Sequence, residues 1–394
     1  MKKMVKLIIV VFLLLVIGYM IYSRVFNSYS WEPTCSAPKL FEVYTHWFYV
    51  KYGKDKAVTT SKDFYCDGID WIWPHEAGEV KNEIPTGIQI VYAALQERKI
   101  YKADIDFTSD ELRIIRDHFN KGYNACQKKD TYGVFCVCIL PGGKLKFILC
   151  GKEDQRTLLL DFDYKAEETY EADEDIMMGL NHSPGRGMRN WKDREQFFDF
   201  MTNEGCCYME LDSIKEQFGE QTYLQSKYYR EKSIPMNIWD RYFERFNYKT
   251  VISFENDSTS MVFDMCMYTN AESYTRMYGK NEDNYIENPA RVKETRFEWE
   301  VNGHRYETVC YFNEEEVLRV FDEAFGDDHN QKGELKIDVS KYNNLLTIHL
   351  NVGDKSILLE KTQIDIVEVD KNTGDRTPIY ENYEGPDHQI FIAM

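Results

Sequence analysis

The feature that most constrains the fold is an order of elements that occurs twice in the chain. The first occurrence runs from Ile84 to Leu160. It contains two alternating segments typical of strands, a helical segment, and two further alternating segments joined by the Pro-Gly-Gly turn at 141–143. Thr108 and Glu111 have the spacing of a capping box, which predicts that a helix begins after Thr108. The segment therefore predicts a hairpin, a helix and a second hairpin.

The second occurrence begins at Phe297 and ends at Leu350. An Asn302-Gly303 pair between two alternating segments predicts a tight hairpin. Asn313 and Glu316 repeat the spacing of the capping box, and two more alternating segments follow the predicted helix. The order of elements matches although few residues do. A duplicated or pseudo-symmetric unit is the favoured interpretation, and chance recurrence of a common helix signal is the alternative.

The predicted fold class is therefore α+β, with an N-terminal membrane anchor helix followed by two antiparallel-sheet-plus-helix units. An acidic cluster over 167–175 and a loop with proline and glycine over 181–187 mark the boundary between the units. The predicted divisions are a signal-anchor transmembrane helix at 1–26, a first α+β domain at 27–165, an acidic linker at 166–190 and a second α+β domain at 191–394.

The anchor is predicted from an uncharged apolar run, Leu7–Ile21, that follows three lysines. As a helix the run covers about 23 Å, and flanking residues must extend it to the roughly 30 Å hydrocarbon core, so contact with the inner membrane is predicted through residues 7–22. The lysines on its N-terminal side, against Arg24 alone on the other, predict a cytoplasmic N-terminus. The expected location is the inner (cytoplasmic) membrane, single-pass, with the bulk of the chain extracytoplasmic. A cleaved signal peptide is the alternative, but Tyr22 stands where a small residue is expected.

The net charge limits the possible partners. The formal charge is −18, and because residues 1–26 contribute +4, the remainder carries −22. Such a surface repels phosphate backbones, which argues against nucleic acid as a partner. It suits solubility or a basic protein partner. The 28 tyrosines and 23 phenylalanines are ample for packed cores.

No catalytic, cofactor-binding or metal-binding residue is predicted, and no cofactor. His75-Glu76 resembles a zinc-protease helix, but Glu79 stands where the second histidine is required. His182-Ser183 lacks the turn that exposes a serine nucleophile. Arg186 and Arg189 form a basic loop of a kind that seldom binds anions.

The cysteines lack the spacing of a metal site. Buried free thiols are the favoured interpretation, with one or two disulfides as the alternative. Cys136 and Cys138 are two residues apart on a predicted strand and should face the same side. The ten cysteines are Cys35, Cys66, Cys126, Cys136, Cys138, Cys150, Cys206, Cys207, Cys266 and Cys310.

Several short motifs resemble an uncharacterised bacterial family of envelope proteins, often lipoproteins, known as domain of unknown function family 2931. The motifs are Ser36-Ala37-Pro38 with Phe41-Glu42-Val43, Ile84-Pro85, Lys99-Ile100-Tyr101, Pro141-Gly142-Gly143, and Ile234 to Trp239 with Arg241-Tyr242. The chain departs from the family in lacking a lipoprotein cysteine. In some genomes, members of this family look like neighbours of secreted antibacterial effectors, so the resemblance implies an immunity protein.

Three functions follow as expectations. The first is a protein-binding module, such as an immunity protein that captures a basic toxin. The second is a structural or assembly component of the bacterial envelope. The third and least favoured is a hydrolase whose site is not visible in the sequence. Because no catalytic motif is recognisable, the prediction is that the chain is not an enzyme.

Overall fold

The computed structural model describes residues 29–38, 41, 43–59, 64–66, 78–125, 129–159, 162–170, 194–203, 213, 215–216, 223, 236–280 and 284–382. The predicted anchor at 1–26 and most of the predicted linker lie outside these residues.

The described part is built mainly of strands. In chain order these are β1 (Ser30–Ser36), β2 (Val43–Tyr52), β3 (Lys56–Thr59), β4 (Phe64–Cys66), β5 (Val80–Lys81), β6 (Pro85–Ala94), β7 (Lys99–Asp106), β8 (Tyr123–Asn124), β9 (Lys129–Asp130), β10 (Val134–Leu140), β11 (Lys144–Cys150), β12 (Arg156–Leu158), β13 (Tyr164–Lys165), β14 (Glu167–Glu168), β15 (Tyr248–Phe254), β16 (Ser260–Tyr268), β17 (Ser273–Met277), β18 (Val292–Val301), β19 (His304–Tyr311), β20 (Gly333–Val339), β21 (Leu346–Val352), β22 (Lys355–Leu358), β23 (Gln363–Val369) and β24 (Arg376–Glu381). The helices are α1 (Ser109–Lys121), α2 (Arg194–Asn203), α3 (Met236–Phe243) and α4 (Glu314–Phe325).

The first half of the described chain forms two strand arrays around α1. In one array β14, β7, β6 and β2 lie side by side, with antiparallel pairing throughout. In the other, β1 runs parallel to β10, and β11 and β12 follow in antiparallel order. The helix α1 buries Ile115 and Phe119 in the core that includes Phe107 and Phe135 from neighbouring strands.

The second half repeats this topology around α4. The array β23, β19, β18 and β16 corresponds to β14, β7, β6 and β2. The array β15, β20, β21 and β22 corresponds to β1, β10, β11 and β12, including the parallel first pair. The repeat is therefore longer than the hairpin–helix–hairpin unit that the sequence indicates, and we call its two copies the first and second repeat.

One sheet joins the two repeats. The strand β12 of the first repeat pairs with β17 of the second, so that β10–β12 and β16–β19 belong to a single 12-stranded sheet. Strand β10 is buried on both faces: Phe135 and Val137 point into the first core, whereas Cys136 and Cys138 point into the second. This explains why its sequence is apolar without interruption.

The predicted fold class is wrong. Of the described residues 51% are in strands and 16% in helices, with large mixed sheets rather than an α+β arrangement of two antiparallel sheets. The prediction failed because strands such as β12, β14 and β22 are too short to show periodicity. It also missed the parallel pairing of β1 with β10 and of β15 with β20, which joins segments distant in the sequence.

The membrane anchor and the domain boundaries are separate predictions from the fold class. Among the described residues no helix is long and apolar enough to cross a membrane. The run at 7–22 lies outside them. The division into domains at 27–165 and 191–394 stays a prediction.

The predicted start of α1 is confirmed in full, whereas the predicted start of α4 is confirmed only in part. At α1, Glu111 N donates to Thr108 Oγ1 and the Glu111 carboxylate accepts from Thr108 N, which confirms the capping box. At α4, Asn313 Oδ1 accepts from Glu316 N at 2.9 Å, which confirms the N-cap. The Glu316 carboxylate does not return to the cap, because it accepts from the main-chain N–H groups at 360 and 361.

Replacing Thr108 with Ala should lower the free energy of unfolding by about 1 kcal/mol, because the donor at Glu111 N then loses its acceptor. Urea denaturation measures this change. Asn313→Ala should cost a similar amount, whereas an unchanged midpoint for T108A would contradict the role of the cap.

Candidate functional site

Residues of four motifs that carry the family resemblance lie around the 141–143 turn, namely Phe41, Tyr101, Trp239 and the turn itself. The Glu97 carboxylate accepts from Gly142 N at 2.9 and 3.1 Å and from the Tyr101 hydroxyl at 3.1 Å. A Cβ on Gly143, whose φ is +78°, would lie 2.7 Å from Ala166 O and 3.0 Å from the Tyr101 ring, so only glycine fits there. Burial raises the pKa of Glu97. These contacts tie the β6–β7 loop to the β10–β11 turn.

The helix α3 packs against the same turn from the other side. The Trp239 ring meets Phe41 edge-on at a centroid distance of 5.2 Å, and Lys144 forms an ion pair with Asp240. Trp239 is 1% exposed. These motif residues thus build a packed junction, which explains them by structure rather than by chemistry.

A second junction connects the repeats through the loop before β12. Main-chain oxygens of Glu153 and Asp154 accept from the hydroxyls of Thr275 and Ser273 in the second repeat. In the second repeat, the loop before β22 is a tight turn with Gly353 at its centre. The loop before β12 in the first repeat is therefore longer than its counterpart, and it contacts the second repeat.

Glu272 lies at the centre of this junction and is 3% exposed. Its carboxylate accepts from Leu158 N at 3.3 Å, Asn270 Nδ2 at 2.7 Å and Arg245 Nη1 at 2.6 Å. Burial raises the pKa of Glu272, and Arg245 opposes that rise. Because three donors already engage this carboxylate, we assign it a structural role.

The inter-repeat cleft, with a volume of about 660 Å³, opens beside Glu272 and is lined also by His118, Tyr132, Arg245 and Asn284. Burial lowers the pKa of His118, which favours the neutral imidazole. The Tyr132 hydroxyl is engaged with Thr157 at 2.8 Å, and Asn284 donates to Gln155. Within the part of the chain that the structure describes, no group of three or more His, Cys, Asp or Glu side chains has the arrangement of a metal site.

The residues that the sequence singles out for chemistry divide into two sets. Six cysteines of the described chain are buried thiols that form no disulfide, as the sequence favours, namely Cys35, Cys136, Cys138, Cys150, Cys266 and Cys310. Burial raises the pKa of Cys136 well above its usual range and that of Cys150 to about 12, so both are thiols at neutral pH. His75, Glu76, His182, Ser183, Arg186, Arg189, Cys206 and Cys207 lie outside the described residues.

The two repeats differ most at the outer edge of β7. In the second repeat, β19 pairs with β23 from Arg305 to Tyr311. In the first repeat, the corresponding strand β7 pairs with β14 only at Tyr101 and Lys102. Among the described strands none pairs with the outer side of residues 103–106. We call this segment, Ala103 to Asp106, the open edge.

The main chain of the open edge points outward at two residues. Phe107 N donates to Thr86 O of β6, whereas Ile100 O accepts from Thr169 N on the opposite side. Because these directions alternate along a strand, the N–H and C=O groups of Asp104 and Asp106 point away from β6. A cleft of about 620 Å³, lined by residues 102–105, 165 and 167–170, lies beside the open edge.

Among the described residues, most of the outer side of β7 is uncovered because the segment before β14 contacts α1 and β11 instead. The hydroxyl of Tyr164 donates to both carboxylate oxygens of Glu111, at 2.8 and 2.7 Å, and Tyr164 pairs with Leu145 in β11. The open edge is not predicted by the sequence. The alternation of Lys102, Asp104 and Asp106 indicates a solvent-facing side, but a single sequence does not show which strands lie at an edge.

The repeated β topology, the packed motifs around the 141–143 turn and the unpaired strand edge define a β-rich protein of two repeats. A family model described as "Protein of unknown function (DUF2931)" matches residues 21–237, more than half of the chain. The chain belongs to this family, which confirms the resemblance seen in the motifs. No curated protein matches the chain. The second repeat, from Tyr248 onward, follows the matched residues.

Proposed function

We propose that this chain is a protein-binding module held at the outer side of the inner membrane, and that the open edge is its binding element. The carrying observation is the difference between the repeats: the same strand position is covered from Arg305 to Tyr311 in one and at only two residues in the other. Strand addition to an exposed sheet edge is a recurrent way of binding a protein segment.

Charge supports the choice of partner class. Residues 27–394 carry −22, and such a surface accelerates encounter with a basic protein. A secreted antibacterial effector of basic character fits this requirement, and the chain would then act as its immunity protein by covering it where it arrives. The placement at the membrane rests on the lysines and the apolar run within residues 1–26.

The function is tested with the full chain, tagged at its C-terminus and expressed at its natural level in the native host. Cross-linking followed by mass spectrometry should recover one basic protein, and recovery should fall as salt is raised, since charge steers the encounter. A deletion strain competed against its parent tests immunity, with the deletion complemented by the wild-type gene as the control. Recovery of no specific partner, together with equal fitness of the two strains, would end the proposal.

A further inference from the structure

We infer that the open edge binds an extended segment that runs antiparallel to β7 and carries basic side chains at two positions, two residues apart. This inference rests on the proposed function and specifies the partner's chemistry. Three observations carry it: the pairing seen in the second repeat, the charges of the edge, and the registers available to a second copy of the chain.

The second repeat shows what completes such an edge. By the register from the helix N-caps, Asp104 corresponds to Val309 and Asp106 to Tyr311, which pair with Asp365 and Gln363 of β23. That pairing is antiparallel. A partner segment in the same place would supply the four residues that the first repeat lacks.

The charges of the edge select a basic segment. Asp104 and Asp106 lie on one face, with side chains 54% and 83% exposed. Lys51 reaches both carboxylates, at 2.5 and 2.6 Å. Lys102 lies on the same face opposite Glu167, so two ammonium groups stand against three carboxylates and a negative charge remains on this face. Opposite charges directly across two strands stabilise pairing.

The same charges disfavour a second copy as the occupant. Lys102 already pairs with Glu167, so a copy can use only the residues beyond it. In an antiparallel pair formed there, Asp104 would face Asp106 or Asp106 would face its own counterpart. Like charges in these positions destabilise pairing, which is one way that natural sheets protect exposed edges.

Amide hydrogen exchange of the full chain tests whether the edge is free. The amides of Asp104 and Asp106 should exchange rapidly, whereas those of Val309 and Tyr311, which face β23, should be protected. Protection of Asp104 and Asp106 in the isolated protein would show that the edge is already occupied and would overturn the inference.

Peptide binding tests the chemistry. The probes are a seven-residue acetylated peptide with alternating valine and lysine, and the same peptide with glutamate in place of lysine. The lysine peptide should bind on the order of tenfold more tightly and should protect the two aspartate amides. Equal binding of both peptides, or protection elsewhere, would contradict the inference.

Two variants separate the main-chain and charge contributions. Asp104→Pro removes an outward N–H that β6 does not use, and should abolish peptide binding. Ser356→Pro, at an outward position of the edge strand β22, is the matched control and should bind normally. Replacing both aspartates by asparagine should reduce the preference for lysine while keeping the main chain, and so remains informative if D104P fails to fold.

The outcomes also separate this inference from the proposed function. Wild-type binding of a host protein that D104P retains in full would place the interface elsewhere: the open edge would be refuted as the binding element, whereas protein binding itself would stand. Loss of host-protein binding in D104P but not in S356P would support both.

Discussion

Replacing Glu272 with Ala should lower the free energy of unfolding by about 3 kcal/mol or more and should weaken the connection between the repeats. The substitution leaves Leu158 N, Asn270 and Arg245 without the carboxylate that now accepts from all three. A buried ion pair that loses one partner typically costs several kcal/mol, since the remaining groups stay desolvated. Urea unfolding followed by tryptophan fluorescence and by circular dichroism measures the loss.

In E272A the unfolding transitions followed by tryptophan fluorescence and by circular dichroism should no longer coincide. In the wild type the continuous sheet across β12 and β17 favours one transition, whereas weakening it should let the second repeat unfold apart from the first. Glu287→Ala, which removes an exposed carboxylate from the same cleft, is the matched control and should change stability by less than about 0.5 kcal/mol. A loss in E272A no larger than in E287A would show that the junction does not depend on Glu272.

Replacing Arg276 with Met should cost about 3–5 kcal/mol near neutral pH. Asp264 is 1% exposed and forms two hydrogen bonds with the guanidinium, Nε to Oδ1 at 2.9 Å and Nη2 to Oδ2 at 2.8 Å. The two residues face each other across β16 and β17. Without Arg276 the buried carboxylate has no cation beside it.

The cost of R276M should depend on pH in a definite direction. Burial raises the pKa of Asp264, and Arg276 is the main influence that lowers it. In R276M the pKa rises further, so the folded variant takes up a proton at higher pH than the unfolded chain does. The penalty should therefore be full near about pH 8 and shrink as the pH falls toward about 4.

Two comparisons make the test of this pair specific. Arg319→Met breaks an exposed ion pair with Glu323 at 3.2 Å and should cost about 0.5 kcal/mol or less. Asp264→Asn in the R276M background should recover part of the stability, because the neutral amide has less to lose on burial. A penalty for R276M that does not change with pH would exclude Asp264 as its origin.

The helix starts show how far local sequence reaches. Thr108 and Asn313 are both N-caps, because a cap forms between residues three apart and needs no distant partner. Their N3 glutamates have different additional partners. Glu111 accepts from Tyr164, and Glu316 accepts from main-chain N–H groups at 360 and 361. The second set of partners comes from distant segments, and the spacing within the capping box does not show them.

The edge of the sheet shows the same limit for function. The alternation in β7 is typical of a strand, and the structure shows a strand there with Lys102, Asp104 and Asp106 exposed on one side. Whether that strand is interior or at an edge depends on where residues 162–168 lie. In the first repeat Tyr164 pairs with β11, and only two residues reach β7.

The sequence by itself determined the caps, the hairpin turns, the order of elements within each hairpin–helix–hairpin unit, and the family. Each depends on contacts within a few residues or on short motifs, so local physical chemistry suffices. Only the tertiary structure decided the parallel pairing of β1 with β10, the sheet that joins the repeats through β12, and the open edge of β7. These features arise from pairing between segments far apart in the chain, and the stability of such pairing depends on the neighbouring strands and burial rather than on the local residues alone.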